Sequence, residues 1–309
     1  MCGICGIVYS NRDKQVDHDV LGLMSKSLLH RGPDSHDSWF SHGIGFAHRR
    51  LIILDVTSTS KQPMIDSQTG VVITYNGEIY NYIEIRKKLI DRGHNFTSTG
   101  DTEVLLRAYI EWKYDLFTEI NGMFAFSIYD PRDNTVFFAR DYFGQKPLFY
   151  YHYEEGIIFS SELKSLLKNR TIPRDIDKEA ISEYLLYDAF VHPNTPIKNV
   201  KKLEAGHAII FNRKNNKLKK WRYNHHADTK HRSYGNHPEK EDYNELENIL
   251  KGSIKRHLRS DVPLGIYLSG GIDSTLITLL ASDVLGASNI HTFSVGSTVK
   301  SYDESATSN

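Results

Sequence analysis

The alternation of apolar and polar positions divides the chain into two stretches of different character. Residues 3–9, Gly-Ile-Cys-Gly-Ile-Val-Tyr, form a continuous apolar run rich in β-branched side chains, the pattern of a buried strand. Residues 17–29 place Val20, Leu21, Met24 and Leu28 at helical spacing, so a helix is predicted to lead into His30-Arg31-Gly32-Pro33-Asp34. Strand patterns follow at 45–54, 70–75, 123–129, 135–139, 148–152 and 156–160, with Pro131-Arg132-Asp133-Asn134 as a hairpin turn. Helical spacing recurs at 82–92 and 102–114. Many short strands with helices interspersed predict an α+β first domain, assigned to residues 1–212.

Residues 213–242 are expected to connect this domain to another. Within them, Asn224-His225-His226-Ala227-Asp228-Thr229-Lys230-His231-Arg232-Ser233 has almost nothing apolar to bury, and its histidines read as a solvated segment before they read as metal ligands. Beyond it, residues 245–258 carry Leu246, Ile249, Leu250 and Ile254 on one helical face. A strand at 264–268, a helix at 275–285 and a strand at 290–295 then give a βαβ pattern, the opening of a parallel-sheet α/β domain over residues 243–309. No internal repeat is present.

Composition adds limits. In 309 residues, 39% are hydrophobic and 25% charged, an ordinary globular mixture that can bury substantial cores. Lysine plus arginine, 38, equals aspartate plus glutamate, 38, which argues against a basic nucleic-acid-binding domain and against a polybasic membrane contact. No apolar stretch approaches the length of a bilayer span, and the N-terminus has no basic n-region or long h-region. The expected setting is the cytoplasm.

The only two cysteines are Cys2 and Cys5. As a C-x-x-C they suggest redox chemistry or half of a zinc site, but no strand precedes them and no second pair of ligands completes a tetrahedron, so no metal is expected. Cys5 suits a small buried side chain in the first strand. Position 2 is different: removal of Met1 would give Cys2 a nucleophilic thiol and a free α-amine in one residue. Such an amine has an ordinary pKa of about 7.7–8.0, suitable for a general base near neutral pH.

The other parts of an amide-cleaving site can be sought by role. Asn76-Gly77 follows the apolar run 71–75, and at a strand end Asn76 can offer its side-chain amide and Gly77 its backbone N–H to an oxyanion. A plain Asn-Gly turn is the competing reading. Arg50 could hold a substrate carboxylate, and Asp101 an ammonium, unless it is only a helix N-cap.

The order of these signals is specific where each alone is weak. Met1-Cys2-Gly3-Ile4-Cys5-Gly6, His30-Arg31-Gly32-Pro33-Asp34, Ala47-His48-Arg49-Arg50-Leu51, Tyr75-Asn76-Gly77-Glu78-Ile79-Tyr80-Asn81 and Gly100-Asp101-Thr102-Glu103 resemble the glutaminase domain of glutamine-hydrolysing asparagine synthetases. Asn121-Gly122-Met123-Phe124-Ala125-Phe126, the run Arg140-Asp141-Tyr142-Phe143-Gly144-Gln145-Lys146-Pro147-Leu148, Ser161-Glu162-Leu163-Lys164 and Leu203-Glu204-Ala205-Gly206-His207 extend the likeness. The resemblance implies an N-terminal-nucleophile αββα sandwich. It implies that Cys2 attacks the side-chain amide of glutamine while Asn76 and Gly77 stabilise the oxyanion. Arg50, Glu78 and Asp101, with the backbone of Leu51, Ile52, Ile53 and Leu54, would bind the glutamine.

In the second domain, Leu268-Ser269-Gly270-Gly271-Ile272-Asp273-Ser274-Thr275 lies between a predicted strand and helix. Glycines let a backbone approach phosphate and a helix start favours an anion, although a capped glycine turn would look similar and no Walker lysine is present. The stretch, with Ser260-Asp261-Val262-Pro263 before it, resembles the pyrophosphate loop of the same synthetases. That likeness implies ATP and Mg²⁺ as cofactors, Ser269, Gly270, Gly271, Asp273 and Ser274 around the pyrophosphate, and Leu268 and Val295 beside the adenosine. Aspartate would be the acceptor, with ammonia reaching it along an enclosed path. A relative that aminates another acceptor, such as a surface sugar, shares both motifs, and a non-catalytic remnant is the alternative if Met1 is retained. Implied partners are therefore glutamine, ATP and aspartate, with no nucleic acid and no membrane, and a homodimer is allowed. The sequence stops soon after Ser301-Tyr302-Asp303-Glu304-Ser305, short of the family's further synthetase motifs. The expectation is a truncated chain that keeps glutamine hydrolysis and lacks ATP-dependent synthesis.

Overall fold

The computed structural model describes residues 1–223 and 240–296. The His-rich stretch beginning at Asn224 and the run from Ser301 to Ser305 lie outside the described residues. The chain divides into two compact units, Met1–Asp228 and Thr229–Asn309.

In the first unit the strands are β1 (Gly3–Tyr9), β2 (Ser35–Ser41), β3 (Ile44–Arg50), β4 (Met64–Ile65), β5 (Val72–Ile79), β6 (Gly122–Asp130), β7 (Thr135–Arg140), β8 (Phe149–Tyr153), β9 (Gly156–Ser160), β10 (Val200–Lys202), β11 (His207–Asn212) and β12 (Lys217–Arg222). They form two six-stranded sheets, in the orders β10-β8-β9-β1-β3-β2 and β12-β11-β7-β6-β5-β4. Every named pairing within them is antiparallel.

Alternation along the strands sends side chains to both faces of each sheet, and both faces are buried. Ile4, Val8, Phe46, Val72, Phe138 and Phe159 belong to the core between the sheets. Helices α1 (His18–Lys26) and α4 (Leu163–Leu166) contribute Leu21, Met24 and Leu166 to a cluster with Cys5 and Ile7 on the outer face of the first sheet. Helices α2 (Tyr82–Ile90) and α3 (Asp101–Trp112) cover the second sheet through Ile85, Leu89, Leu105 and Tyr109. The result is an αββα sandwich, as the resemblance implied.

Several predicted limits shift. The first helix is bounded by an Asp17 N-cap that accepts from the N–H groups of Asp19 and Val20, and it ends at Lys26, before a series of tight turns. Strand β2, Ser-His-Asp-Ser-Trp-Phe-Ser, gave no strand signal because it is a largely polar edge strand. The assignment of residues 213–242 to a connector is corrected at its start. β12 pairs with β11 over residues 217–222, Trp221 packs against Phe137, and Tyr223 stacks on Phe117 with ring centroids 3.6 Å apart. Arg213, 1% exposed, donates to the carbonyls of Tyr9 and His42 and to Asn134 Oδ1, so it too is part of the first unit.

The second unit contains α5's successors in the chain: α5 itself (Lys178–Tyr187) closes the helices of the first unit, and α6 (Lys240–His257) and α7 (Ile272–Leu285) lie in the second. Strands β13 (Gly265–Tyr267) and β14 (His291–Phe293) pair in parallel, with α7 as the crossover. The predicted βαβ unit is therefore present, with shorter strands and a helix that starts three residues before Thr275.

Beside the site, a buried bond ties the two sheets of the first unit. His48, in β3, points its Nε2 at the carbonyl oxygen of Tyr75, in β5, at 3.0 Å. A carbonyl only accepts, so Nε2 carries the proton. Burial holds the ring neutral, with its pKa down at about 3. Replacing His48 by Leu leaves the Tyr75 carbonyl unpaired and is expected to cost about 1–3 kcal/mol at pH 7, read from urea unfolding. A depressed histidine pKa means that stability is lost as pH falls from 6.5 towards 3. The His48→Leu protein should lose less over that interval than the wild type, and an equal loss would contradict the assignment.

Candidate active site

The site forms where the start of the first sheet meets the middle of β5. Cys2 immediately precedes β1, and its sulfur sits 3.4 Å from the N–H of Leu51 and 3.6 Å from the Leu51 carbonyl. Arg31 Nε donates to the Cys2 carbonyl at 2.9 Å, while Arg31 Nη1 pairs with Glu162. The Cys2 backbone is thus clamped from the Arg-Gly-Pro-Asp turn. Cys5 is fully buried, its thiol pushed up to about 12, and both cysteines are free. The C-x-x-C is two unlike thiols: an inert one in the core and one on a cavity.

That cavity, about 140 Å³, is lined by Met1, Cys2, Arg50, Leu51, Ile53 and Leu54 on one side. Its other walls include Gln62, Tyr75, Asn76, Gly77, Glu78, Asp101, Thr102, Met123 and Lys146. All the predicted glutaminase residues except Ile52 are there. Ile52 turns away, its N–H donating to Asp34 Oδ2 at 2.8 Å.

Asn76-Gly77 is neither a turn nor a strand end, as the sequence had suggested. β5 continues through both, with Asn76 opposite Ala125 and Gly77 opposite Phe124. Backbone groups along a strand point alternately to its two sides. Tyr75 N–H leaves the side away from β6 to reach Gln62 Oε1 at 2.7 Å, and Ile79 N–H does the same to Asp101 Oδ2 at 2.9 Å. Gly77 lies midway, so its N–H leaves on that side also, where the residue lines the cavity. A Cβ on Gly77 would lie 2.2 Å from the Met123 carbonyl oxygen, so the strands could not close with a larger residue. The Asn76 side chain is 1% exposed, yet its Nδ2 has no hydrogen-bond partner among the described residues. A buried amide donor left without an acceptor is costly and is repaid only when something else accepts from it.

The predicted strand 45–54 stops at Arg50. Arg50 bends the chain back on itself by donating to the carbonyls of Leu54 (3.1 Å), Asp55 (2.6 Å) and Thr57 (3.2 Å). Apolar Leu51, Ile53 and Leu54 therefore become cavity wall. Three of Arg50's five donors are spent in this way, and the others remain for an incoming carboxylate. Asp55 locks the far end of the loop, accepting from Ser60 Oγ at 2.6 Å and from the N–H groups of Thr99 and Gly100 at 2.8 and 3.1 Å.

Asp101 is the first residue of α3, with Gly100 in the cap position, so the N-cap reading does not hold. Its Oδ2 accepts from the Tyr75 hydroxyl at 2.8 Å as well as from Ile79 N–H. Burial raises its pKa against those bonds. Glu78 is pushed up to about 7, by burial first and then by the neighbouring Asp101 carboxylate. Two carboxylates in one small cavity make a receptive place for an ammonium. The Cys2 thiol is likewise raised by burial, and the amino end of the chain is lowered by burial. With Met1 in place, a neutral thiol thus lies beside a Met1 amine that loses its proton more easily than an exposed one.

Sequence reasoning missed Gln62, Thr102, Met123 and Lys146. Gln62 ties two elements, accepting from Tyr75 N–H and donating to Thr102 Oγ1 at 3.2 Å, and nothing local in the sequence announces it. Met123 and Lys146 lay inside matched motifs without a role attached.

In the second unit, Gly270 takes φ +78° and Gly271 caps α7. The Ser269 and Ser274 hydroxyls lie 3.1 Å apart, and Ser274 Oγ donates to the Gly271 carbonyl at 3.1 Å. The loop is closed on itself at the helix start, with Asp273 in the first turn. Leu268 N–H donates to the Phe293 carbonyl at 2.9 Å, while Val295 lies beyond β14 and is exposed. No group of three or more potential metal-ligating side chains occurs among the described residues. No helix among them is long and apolar enough to cross a membrane.

Comparison with known families decides what this geometry belongs to. The family described as "Glutamine amidotransferase domain" matches residues 1–222. The chain belongs to the glutamine amidotransferase family. A second family, "Asparagine synthase", matches residues 245–309. Among curated relatives, "Asparagine synthetase [glutamine-hydrolyzing] 3" of Bacillus subtilis is 36% identical over 301 residues, covering 96% of this chain and 48% of the relative. "Putative asparagine synthetase [glutamine-hydrolyzing] 2" of Methanocaldococcus jannaschii is 36% identical over 325 residues, covering 98% of this chain and 61% of the relative. This chain therefore spans about half the length of the first of these and somewhat more of the second. Among solved structures, the glutamine phosphoribosylpyrophosphate amidotransferase of B. subtilis complexed with ADP and GMP superposes with a TM-score of 0.51. It has 14% identity and covers 97% of this chain and 68% of that one. The fold is that of the N-terminal-nucleophile amidotransferases.

A raised carboxyl pKa in this amidotransferase has a testable consequence. Between the ordinary value of 4.5 and about 7, the folded protein binds a proton at Glu78 that the unfolded chain has released. The Glu78 contribution to stability is therefore lost as pH rises through that interval. Glu78→Gln should be more stable relative to the wild type at pH 8 than at pH 5, measured by urea unfolding. A difference of the opposite sign would contradict the burial of this group.

Proposed function

We propose that the chain carries the glutamine-hydrolysing half of an asparagine synthetase, releasing ammonia from glutamine at Cys2. The observation that carries this reading is the buried, unpartnered Nδ2 of Asn76 on the same small cavity as the Cys2 thiol. The reaction needs Met1 removed. Met1 is 53% exposed and lines the cavity, so its loss both frees the Cys2 amine and opens space.

Glutamine then enters with its carboxylate towards Arg50 and the 51–54 backbone, and its ammonium towards Asp101 and Glu78. The Cys2 amine takes the thiol proton as sulfur bonds to the side-chain amide carbon. Negative charge moves to the amide oxygen, where Asn76 Nδ2–H and Gly77 N–H are its donors. The ammonium returns the proton to the leaving nitrogen, and ammonia departs as the C–N bond breaks. Water, deprotonated by the same amine, hydrolyses the thioester to glutamate and restores the thiol. This chemistry belongs in the cytoplasm, where a thiol stays reduced.

For the second unit we propose an ATP site at residues 268–274. The φ of Gly270 and the α7 N-terminus suit a polyphosphate, with Ser269 and Ser274 as hydroxyl donors and Asp273 as the carboxylate that would face Mg²⁺ carried in with it. Mg²⁺ bound with the nucleotide would supply neutralisation of the phosphate charge. Leu268 and Val295 would flank the adenosine, and aspartate is the acceptor we assign to the ammonia. Family-level similarity of residues 245–309 to asparagine synthases supports this part of the reading.

Glutamine hydrolysis by the purified chain tests the proposal. Cys2→Ala should abolish it, and retention of half the wild-type rate would remove the mechanism. Asn76→Ala should lower kcat by about 10²–10³ with KM changed far less, as expected for a donor used mainly in the transition state. An equal effect on KM alone would assign Asn76 to substrate binding instead.

A further inference from the structure

The mechanism leaves one buried charge on the cavity wall without a task. Lys146 is 5% exposed and lines the cavity with Cys2, Glu78 and Met1. None of the hydrogen bonds or ion pairs among the described residues reaches its Nζ. The side chain is packed into the wall, while the ammonium at its end opens onto the cavity instead of pairing with a neighbour. The backbone of Lys146, by contrast, is fixed on both sides. Its N–H donates to Asp141 Oδ2 at 2.9 Å, and its carbonyl accepts from Arg140 Nε at 2.8 Å. Asp141 also accepts from the N–H groups of Phe124, Phe143 and Gln145, which ties the turn to β6, the strand paired with Gly77. These bonds fix the backbone of Lys146 on the cavity wall.

We propose that Lys146 is a positioning residue of the glutaminase site, holding an unpaired positive charge against Cys2 and the amino end so that the thiol yields its proton and the amine stands free to take it. The inference deepens the glutaminase reading and rests on it. The charged and titratable groups facing this ammonium are the Cys2 thiol and the amino end, Glu78 on β5, Asp101 on α3, Asp141 in its own turn, and the Arg31 and Arg50 guanidiniums. Carboxylates here work against thiolate formation, and Lys146 offsets them. Its charge disfavours the charged form of the Met1 amine, which occupies the amino end before Met1 is removed, and favours the ionised form of Glu78. Burial in turn lowers the pKa of Lys146 itself, against the attraction of Glu78 and Cys2.

The test compares Lys146→Met and Lys146→Arg with the wild type, using the mature chain without Met1. In Lys146→Met the acid limb of kcat/KM for glutamine should move to higher pH. A displacement of about one pH unit would appear as a roughly tenfold loss below the limb, shrinking as pH rises above it. Lys146→Arg should restore the wild-type limb. Alkylation of Cys2 by iodoacetamide, resolved from Cys5 by fragmentation of the amino-terminal peptide in the mass spectrometer, should show the same displacement without requiring turnover. A loss of rate equal at all pH values, or an alkylation profile that coincides with the wild type, would overturn the proposal. A wild-type protein that alkylates normally but never hydrolyses glutamine would instead end the glutaminase reading.

Discussion

The bond from His48 Nε2 to the Tyr75 carbonyl holds the two sheets together beside the site. The proposed nucleophile adjoins one sheet and the proposed oxyanion donors lie in the other, so their separation is a property of sheet-to-sheet packing and not of local sequence. Aliphatic contacts between sheets are non-directional and tolerate sliding. A neutral imidazole with one donor aimed at one carbonyl does not. It fixes β3, which leads into the 51–54 wall, against β5 one residue before Asn76. Arg50 and Asp55 then shape the loop that follows, and Gln62 and Asp101 occupy the N–H groups on either side of Gly77. His48, Asp55, Gln62 and Asp101 all have partners, whereas Asn76 Nδ2 has none among the described residues.

That contrast is how structure becomes chemistry here. Unmet donors and buried like charges are expensive, and the sandwich supports them with a continuous apolar core on both faces of each sheet. Burial is the largest influence on each group: it raises the Cys2 thiol, lifts Glu78 towards neutrality with help from Asp101, and leaves the Met1 amine more easily uncharged. A substrate bringing an ammonium to the carboxylates and a developing oxyanion to Asn76 relieves several of these costs at once. Only the oxyanion contact grows along the reaction coordinate, which is why it bears on rate more than on affinity.

Much of this could be read from the chain because the site residues sit in short runs whose order is informative. Strong apolar strands such as β1 and β6 were visible, as was the glycine loop ahead of α7. Edge strands were not: β2 and β12 are too polar to show alternation, and Trp221 reveals its role only by packing on Phe137. Local pattern also misjudged where strands end. Residues 51–54 look like strand because they are apolar, but long-range bonds from Arg50 turn them into a wall. Asn76-Gly77 looks like a turn because of local propensity, but pairing with Ala125 and Phe124 carries the strand through it. Lys146, one lysine between Gln145 and Pro147, reads as a solvated charge until tertiary structure buries it.

The central claim is that one carbon atom of glutamine becomes bonded to the sulfur at position 2 while two donors from the opposite sheet hold its oxygen. Rapid acid quenching of the protein during turnover, followed by peptide mass spectrometry, measures this directly. The account predicts a glutamyl thioester on Cys2 of chains that have lost Met1, appearing before free glutamate accumulates. Turnover with no adduct on that residue, or turnover by chains that retain Met1, would contradict it.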